Sequence, residues 1–357
     1  MTAMKKHSFS TRLTALLLVA VIILLSFSGC KNEKYTEGTS FAMGSVLTAK
    51  IYTDDEDKGK ELLSLVTDAV NMADSSLSAT DPESEISELN ETGIIYASDF
   101  LKEVLKDSIL LCNVTERKLN ITMGNVTRLW GFSTESPSLP SDEDIKKELN
   151  AVDIEKILID PDNSKVTLED DVSIDLGAFG KGAACDAVLD AVYLHYIPLT
   201  VSLGGTVLVC GNGPSDGKWT VGIRDPFKDI NSCFGKITVS GKAPFNASFI
   251  STSGSYEKTF TENDKTYHHI LDPKTGYPVE NELISVTVVA HSGLIADALS
   301  TFCFIGGLNE DTLQTLSSFY AEAVFVMKDK TYYITDGLKE AFEPLSSEYT
   351  LIENYEA

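Results

Sequence analysis

Apolar positions recur along much of the chain with the spacing of regular secondary structure. Over residues 61–77 they fall three to four positions apart, which predicts an amphipathic helix. A second helix is expected over residues 99–116, with Ser98 as its N-cap. Apolar and polar positions alternate over residues 45–52, which predicts a strand. Two strand-like runs at residues 323–327 and 331–334 flank the polar residues 328–330, which predicts a hairpin.

Strands and helices continue to alternate in the second half of the chain. Two strands should flank the turn at residues 161–163, the second ending at Asp175, and a helix is expected over residues 181–194. Four further strands are predicted at residues 199–203, 206–210, 219–223 and 283–289. One more helix is predicted to begin at about Leu294. The order lacks the strict repeat of a doubly wound sheet, so we predict an α+β fold of mixed sheets with flanking helices, arranged as two interlocked lobes.

The chain begins with the features of an export signal. Basic residues precede an apolar run at residues 13–25, which is short for a membrane-spanning helix, and small residues precede Cys30 as in a bacterial lipobox. We predict a lipoprotein signal peptide at residues 1–29, a lipidated Cys30 with palmitate among its acyl chains, a tether to residue 40, and one domain over residues 41–357. The alternative is an uncleaved N-terminal anchor. Either interpretation places the domain on the extracytoplasmic face of the cell membrane.

Composition restricts the classes of partner and of metal site. The 357 residues include 29 Lys and Arg against 53 Asp and Glu, a formal net charge of -24, so nucleic acid is not an expected partner. Apart from Cys30, the cysteines are odd in number and lack any CxxC spacing, which encodes neither a disulfide scaffold nor a zinc site. We expect these cysteines to be core residues: Cys112, Cys185, Cys210, Cys233 and Cys303.

A glycine-rich run, DLGAFGKG at residues 175–182, could bind a phosphate group. Its glycines allow a tight turn before a helix, where backbone N–H groups and the helix dipole attract an anion, and Lys181 adds a full positive charge. The spacing is neither that of a Walker A loop nor that of a dinucleotide fingerprint. A purely structural turn explains the run equally well.

Asp297 and Thr301 lie four positions apart on a predicted helix and therefore share a face. Two oxygen ligands placed in this way suit Mg²⁺, which completes its coordination with water and substrate phosphate oxygens. The alternative is an aspartate near a helix start with a threonine that bonds back to the backbone.

His268 and His269 precede a turn rich in Asp, Pro and Gly. Adjacent side chains of an extended segment point to opposite sides, so only one of the two is expected to face a site. A third metal ligand is missing nearby, so zinc binding is the weaker hypothesis.

In this order, these segments resemble the ApbE family of FAD:protein FMN transferases. The resemblance covers residues 41–307 and depends on the combination of several motifs: an MG[TS] start, SEIS-x-LN, LWGF, DLGAFGKG followed by Asp186, SLGG, TSG-x-Y, HHILDP-x-TG-x-P and ADALST. It implies that FAD binds as substrate in a cleft between the lobes. The positions that match flavin-contacting residues of the family are Met43, Thr80, Leu119, Asn120, Ile121, Asp175, Lys181, His269 and Ile270.

The resemblance also implies a metal site and a reaction. Mg²⁺ would be held by the backbone carbonyl of Ala178 and the side chains of Asp297 and Thr301. FMN would pass from FAD to a Thr or Ser hydroxyl of an acceptor subunit in a membrane or exported redox complex, with release of AMP. His269 is the candidate base, because the ordinary pKa of histidine lies near neutrality.

Two positions depart from the family pattern. Thr80 stands where an aromatic residue is common, and Asn120 where an aspartate is common. These departures leave the balance between transfer and hydrolysis open, so an FAD pyrophosphatase that yields FMN and AMP is the alternative. A non-catalytic flavin-binding lipoprotein is the alternative of another class, and the candidate Mg²⁺ ligands Asp297 and Thr301 argue against it.

Overall fold

The computed structural model describes residues 34–240, 247–353 and 355. The predicted signal peptide and Cys30 lie outside the described residues, and so does the alternative N-terminal anchor. In the part of the chain that is described, no helix combines the length and the apolar character needed to cross a membrane.

Helices and strands are distributed along the whole described chain. The helices are α1 (Glu56–Leu77), α2 (Glu85–Thr92), α3 (Asp99–Val114), α4 (Gly124–Trp130), α5 (Asp142–Leu149), α6 (Gly180–Val192), α7 (Gly293–Gly306) and α8 (Glu310–Ser318). The strands are β1 (Thr36–Ala42), β2 (Ser45–Ile51), β3 (Ile94–Tyr96), β4 (Ile157–Ile159), β5 (Lys165–Leu168), β6 (Leu199–Leu203), β7 (Thr206–Cys210), β8 (Lys218–Arg224), β9 (Cys233–Ser240), β10 (Ala247–Gly254), β11 (Thr259–Glu262), β12 (Lys265–His268), β13 (Leu283–Ala290), β14 (Glu322–Met327), β15 (Thr331–Ile334), β16 (Phe342–Pro344) and β17 (Thr350–Leu351).

A nine-stranded sheet forms the centre of the fold, in the order β1-β2-β6-β7-β10-β13-β14-β15-β17. Neighbouring strands are antiparallel except β15 and β17. Alternation along the strands divides the apolar side chains between the two faces, as strand geometry requires. Leu208 and Phe249 belong to one core, whereas the adjacent Val209 and Ile250 belong to a second core.

Three layers result from this division. Helices α1, α6 and α7 pack on one face of the sheet, where they bury the larger core. The three-stranded sheet β16-β9-β8 covers the other face through Trp219, Phe234 and Ile237. The structure confirms the predicted α+β class, while the arrangement in two lobes stays a prediction.

A smaller aromatic cluster connects α4 to the segment that follows β12. Trp130 packs against Tyr267 and Tyr277, with ring centroids 5.4 and 5.7 Å away, and its indole N–H donates to the carbonyl of Gly276 at 2.8 Å. Because Trp130 is fully buried, this contact fixes the turn after His269 against the body of the protein.

Helix starts follow the capping residues. Ser98 accepts a hydrogen bond from the backbone N–H of Leu101 at 3.1 Å, which confirms the predicted cap of α3. Helix α1 begins at Glu56, earlier than predicted, because Asp55 caps it by accepting from the N–H of Lys58 at 3.0 Å. Polar residues in its first turn hid this start from the apolar pattern.

Three predictions from the sequence were wrong. The strand expected to end at Asp175 ends at Leu168, because the chain turns at Asp170, whose φ is 52°; beyond the turn, the side chain of Asn90 bonds both the N–H and the carbonyl of Ile174, at 2.6 and 2.8 Å, in place of a neighbouring strand. The tether does not extend to residue 40, since β1 pairs with β2 from Thr36 onward. Cys233 is exposed, whereas the other four described cysteines are buried as predicted.

Candidate active site

A cleft of about 330 Å³ brings most of the predicted site residues together. The residues that line it include Met43, Thr80, Leu119, Asn120, Asp175, Ala178, Lys181, His269, Ile270, Asp297 and Thr301. They come from widely separated parts of the chain. A second, more polar groove of about 710 Å³ contains none of the predicted site residues.

Ile121 is the one predicted flavin-contacting residue that does not line the cleft. Its side chain is fully buried in the larger core. Its carbonyl accepts a hydrogen bond from the backbone N–H of Asp175 at 2.8 Å. Ile121 therefore positions Asp175.

Helices α6 and α7, called here the helix pair, touch through their backbones. A methyl group on Gly182 would overlap the carbonyl oxygen of Gly293, and one on Gly293 would overlap the carbonyl of Gly182. Only glycine permits this approach. This contact places the start of α6 next to Asp297 on α7.

Asp297 is 4% exposed and accepts hydrogen bonds from several donors. Oδ2 accepts from the backbone N–H of Gly182 at 3.0 Å, and Oδ1 from the hydroxyl of Ser251 at 2.9 Å. The ammonium of Lys181 lies 3.9 Å from Oδ2. The glycine-rich run and the Asp297 helix, which the sequence left ambiguous separately, thus form one structural unit.

Thr301 lies one turn further along α7. Its hydroxyl is 3.4 Å from the carbonyl of Asp297 and 3.0 Å from the hydroxyl of Ser253. The back-bonded threonine considered as an alternative is therefore present, and it lies on the wall of the cleft.

Asp186 holds the two helices of the pair in register, a role that the sequence analysis missed. Its carboxylate accepts from the backbone N–H groups of Gly293 and Leu294, at 2.7 and 2.8 Å, and from the hydroxyl of Ser292 at 2.9 Å. Burial raises the pKa of Asp186 to about 6, although these hydrogen bonds act in the opposite direction. The available signal was a carboxylate on an otherwise Ala-rich helix.

Asp175 occupies the turn that leads to α6. It accepts from the hydroxyl of Thr127 and from the backbone N–H of Gly177, both at 2.7 Å. Both carboxylate oxygens therefore have protein donors, and the turn is held open at the cleft.

Three flavin-matching positions have distinct environments. The backbone N–H of Met43 donates to the carboxylate of Asp74 at 2.7 Å, and Met43 has a φ of 51°. Thr80 is exposed on the cleft wall. The amide oxygen of Asn120 accepts from both the N–H and the hydroxyl of Thr122, at 3.0 and 2.7 Å, and its NH₂ has no acceptor among the described residues.

His269 lines the cleft, and His268 does not, as the alternation predicted. The Nδ1 atom of His269 lies 3.1 Å from the carbonyl of Glu257. A carbonyl only accepts, so Nδ1 carries the proton and Nε2 has the free lone pair. Burial lowers the pKa of His269 to about 3, with further contributions from Lys258 and Lys181, so the ring is neutral at pH 7.

The charge of the cleft differs from that of the whole chain. Basic side chains outnumber acidic ones on its wall: Lys118, Arg128, Lys181 and Lys258 against Asp175, Glu257 and Asp297. The whole chain has a formal net charge of -24. A local basic excess in an acidic protein suits an anionic ligand.

The mixed sheet, the helix pair and the basic cleft define an α+β protein with a site suited to a phosphate-bearing ligand. The ApbE family model matches residues 43–325, and the chain belongs to the ApbE family.

Relatives support this assignment. The FAD:protein FMN transferase of Haemophilus influenzae is 32% identical over 308 residues, which are 81% of this chain and 86% of that protein. The FAD:protein FMN transferase of Klebsiella pneumoniae is 28% identical, with 87% and 95% covered. The crystal structure of the ApbE protein of Thermotoga maritima has a TM-score of 0.78 at 25% identity, and the match covers 86% of this chain and 99% of that one.

Proposed function

We propose that this chain transfers FMN from FAD to a Thr or Ser hydroxyl of an acceptor protein and releases AMP. The observation that carries the proposal is the convergence, on one basic cleft, of the helix pair with Asp297, the cation of Lys181 and the neutral ring of His269. The function of the named relatives supports the same reaction.

The residues at the helix pair fit a magnesium ion. The proposed ligands are the carboxylate of Asp297, the hydroxyl of Thr301 and the carbonyl of Ala178, all of them hard oxygen donors. The described residues contain no group of three or more His, Cys, Asp or Glu side chains that could hold a metal, so the site would depend on water and substrate oxygens, as Mg²⁺ sites commonly do. When bound, Mg²⁺ would neutralise charge on the pyrophosphate.

The protein's own groups account for binding and proton transfer. Lys181 supplies positive charge at the cleft wall next to the start of α6, where the positive end of the helix dipole also favours a phosphate. The free Nε2 of His269 is the group that would accept the proton of the acceptor hydroxyl. Its low pKa in the free cleft follows partly from two neighbouring lysines, and an anionic ligand that offsets their charge would raise it.

The proposal extends to location and partners. The lipobox pattern before Cys30 supports a lipid anchor at the extracytoplasmic face of the cell membrane. From that position the acceptors would be subunits of membrane or exported redox complexes.

The test is incubation of the full-length chain with FAD and Mg²⁺, with and without a flavin-acceptor domain. AMP release and the mass of the acceptor are followed together, and a chelator serves as the control for the metal. Covalent FMN on a Thr or Ser with a matching amount of AMP is the expected result. AMP with free FMN and no labelled acceptor would indicate the pyrophosphatase, and FAD binding without AMP would indicate a carrier.

A further inference from the structure

Lys258 is a cation of the cleft that the motifs did not single out. It lies in the turn of residues 255–258, which connects β10 to the β11–β12 hairpin and is called here the hairpin turn, and its side chain lines the cleft. Within the described residues, its ammonium has no carboxylate at ion-pair distance and no hydrogen-bond acceptor. A cation held at a ligand site without a partner is available to an anionic ligand.

The acidic groups near Lys258 are engaged elsewhere. Asp175 accepts from Thr127 and Gly177 through its two oxygens. The carboxylate of Glu257 lies 3.8 Å from the guanidinium of Arg224. Lys258 is exposed to the cleft, yet the surrounding protein desolvates it and lowers its pKa, and repulsion from Lys181 acts in the same direction. An anion between these lysines would relieve that repulsion.

The backbone of Lys258 adopts an energetically unfavourable conformation that holds its side chain in place. Its φ is 43°, in the left-handed region that non-glycine residues adopt only when the surroundings require it. The surroundings are firm: the Arg224 guanidinium lies 4.7 Å from the ring centre of Tyr256, and the Glu257 carbonyl accepts from His269. The hairpin turn therefore presents Lys258 and orients His269 together.

We propose that Lys258 is a phosphate-binding residue of the cleft, whose ammonium contacts the pyrophosphate of FAD and thereby favours phosphate-bearing flavins over riboflavin. This inference rests on the proposed function, because it takes FAD as the ligand. It assigns a specificity role to a residue outside the motifs that identify the family.

The test compares two flavins that differ in phosphate. FAD and riboflavin are titrated into the full-length chain by flavin fluorescence, with a chelator present so that no metal-dependent turnover occurs. Lys258→Met removes the charge at similar size and should weaken FAD binding about tenfold, with riboflavin binding unchanged. Lys258→Arg should restore most of the FAD affinity. Lys265→Met removes a charge from β12, in the hairpin that follows the turn and outside the cleft, and should change neither affinity.

Several results would overturn the inference. Unchanged FAD affinity in Lys258→Met would show that the ammonium does not reach the pyrophosphate. An equal loss for FAD and riboflavin would show that the lysine only shapes the turn. Failure of the wild-type chain to release AMP in the turnover assay would reject the proposed function. The comparison of FAD and riboflavin binding would still show whether Lys258 contacts the pyrophosphate. Absence of FAD binding by the wild type would reject both.

Discussion

The helix pair and the hairpin turn contribute to the same cleft but are held by different kinds of contact. In the helix pair, backbone packs on backbone at Gly182 and Gly293, and the buried carboxylate of Asp297 has several protein donors. In the hairpin turn, half-buried and exposed residues are held by local backbone geometry, by the contacts of Arg224 with Tyr256 and Glu257, and by two hydrogen bonds, from His269 to the Glu257 carbonyl and from the Ser255 N–H to the Ile284 carbonyl. Substitutions in the helix pair should therefore affect folding as well as chemistry, whereas those in the turn should affect ligand binding and the pKa of His269 and leave folding largely unchanged.

Asp297→Asn should have the largest effect on activity. The amide keeps the shape of the carboxylate but removes the charge that would hold Mg²⁺, so FAD turnover should fall by about a hundredfold to a thousandfold. AMP release measures the loss, and thermal unfolding followed by circular dichroism checks that the variant is folded. Unchanged turnover in a folded variant would reject the metal assignment.

Gly182→Ala tests the backbone contact of the helix pair. The added methyl group meets the Gly293 carbonyl, which cannot move without separating the helices, and we expect a loss of about 3 kcal/mol in the free energy of unfolding. Denaturant titration measures it. Gly180→Ala on the same helix is the matched control, since its methyl group would lie 3.1 Å from the flexible end of Met43. Equal stability of the two variants would contradict the proposed importance of the backbone contact.

Asp186 should make the stability of the helix pair depend on pH. Its pKa is raised to about 6 from an ordinary 3.8, so the folded state binds this proton more tightly than the unfolded state. The free energy of unfolding contributed by Asp186 therefore falls as the pH rises from about 4 to 6.

Comparison with Asp186→Asn isolates this contribution. Relative to the variant, the wild type should lose about 2 kcal/mol of unfolding free energy between pH 4 and pH 7, measured by denaturant titration at several pH values. Asp190→Asn, at an exposed position on the same helix, is the control; Asp190 makes only the smallest contribution to the raised pKa of Asp186, so this variant should stay close to the wild-type profile. Parallel pH profiles of wild type and Asp186→Asn would disprove the linkage.

The smallest predicted effect lies at the hairpin turn. In the free protein, nitrogen chemical shifts of the His269 ring should remain those of a neutral imidazole from pH 8 to about pH 4, because its pKa is lowered to about 3. Lys258→Met removes one positive neighbour and should move that pKa upward, toward the ordinary 6.5. Titration of the His269 ring near neutrality in the wild type would contradict the proposed electrostatic coupling between His269 and the lysines of the cleft.

Elements with a strong local signal were predictable from the sequence. The cap at Ser98 and the alternation that separates His268 from His269 depend only on neighbouring residues. The run before Asp175 was not predictable, since its pairing depends on the distant side chain of Asn90. Local patterns describe local geometry and do not reveal a side chain that replaces a strand.

The candidate site was also predictable only as far as local sequence patterns reach. Motifs located Asp297, Lys181 and His269, but each motif alone left a structural alternative open. The functions inferred for Asp186 and Lys258 required coordinates, because one bonds the start of α7 and the other is defined by the partners it lacks within the described residues. Ile121 stays a predicted flavin-contacting position, but its side chain is buried in the core, which the motif alone did not indicate.

The basic cleft in an acidic protein has a kinetic consequence. At long range a dinucleotide approaches a chain of net charge -24 and is repelled, and the lysines act only after it has entered. Added salt screens the long-range repulsion more than the short-range attraction inside the cleft. Capture of FAD should therefore become faster as ionic strength rises, the reverse of the behaviour of proteins that steer their ligands electrostatically.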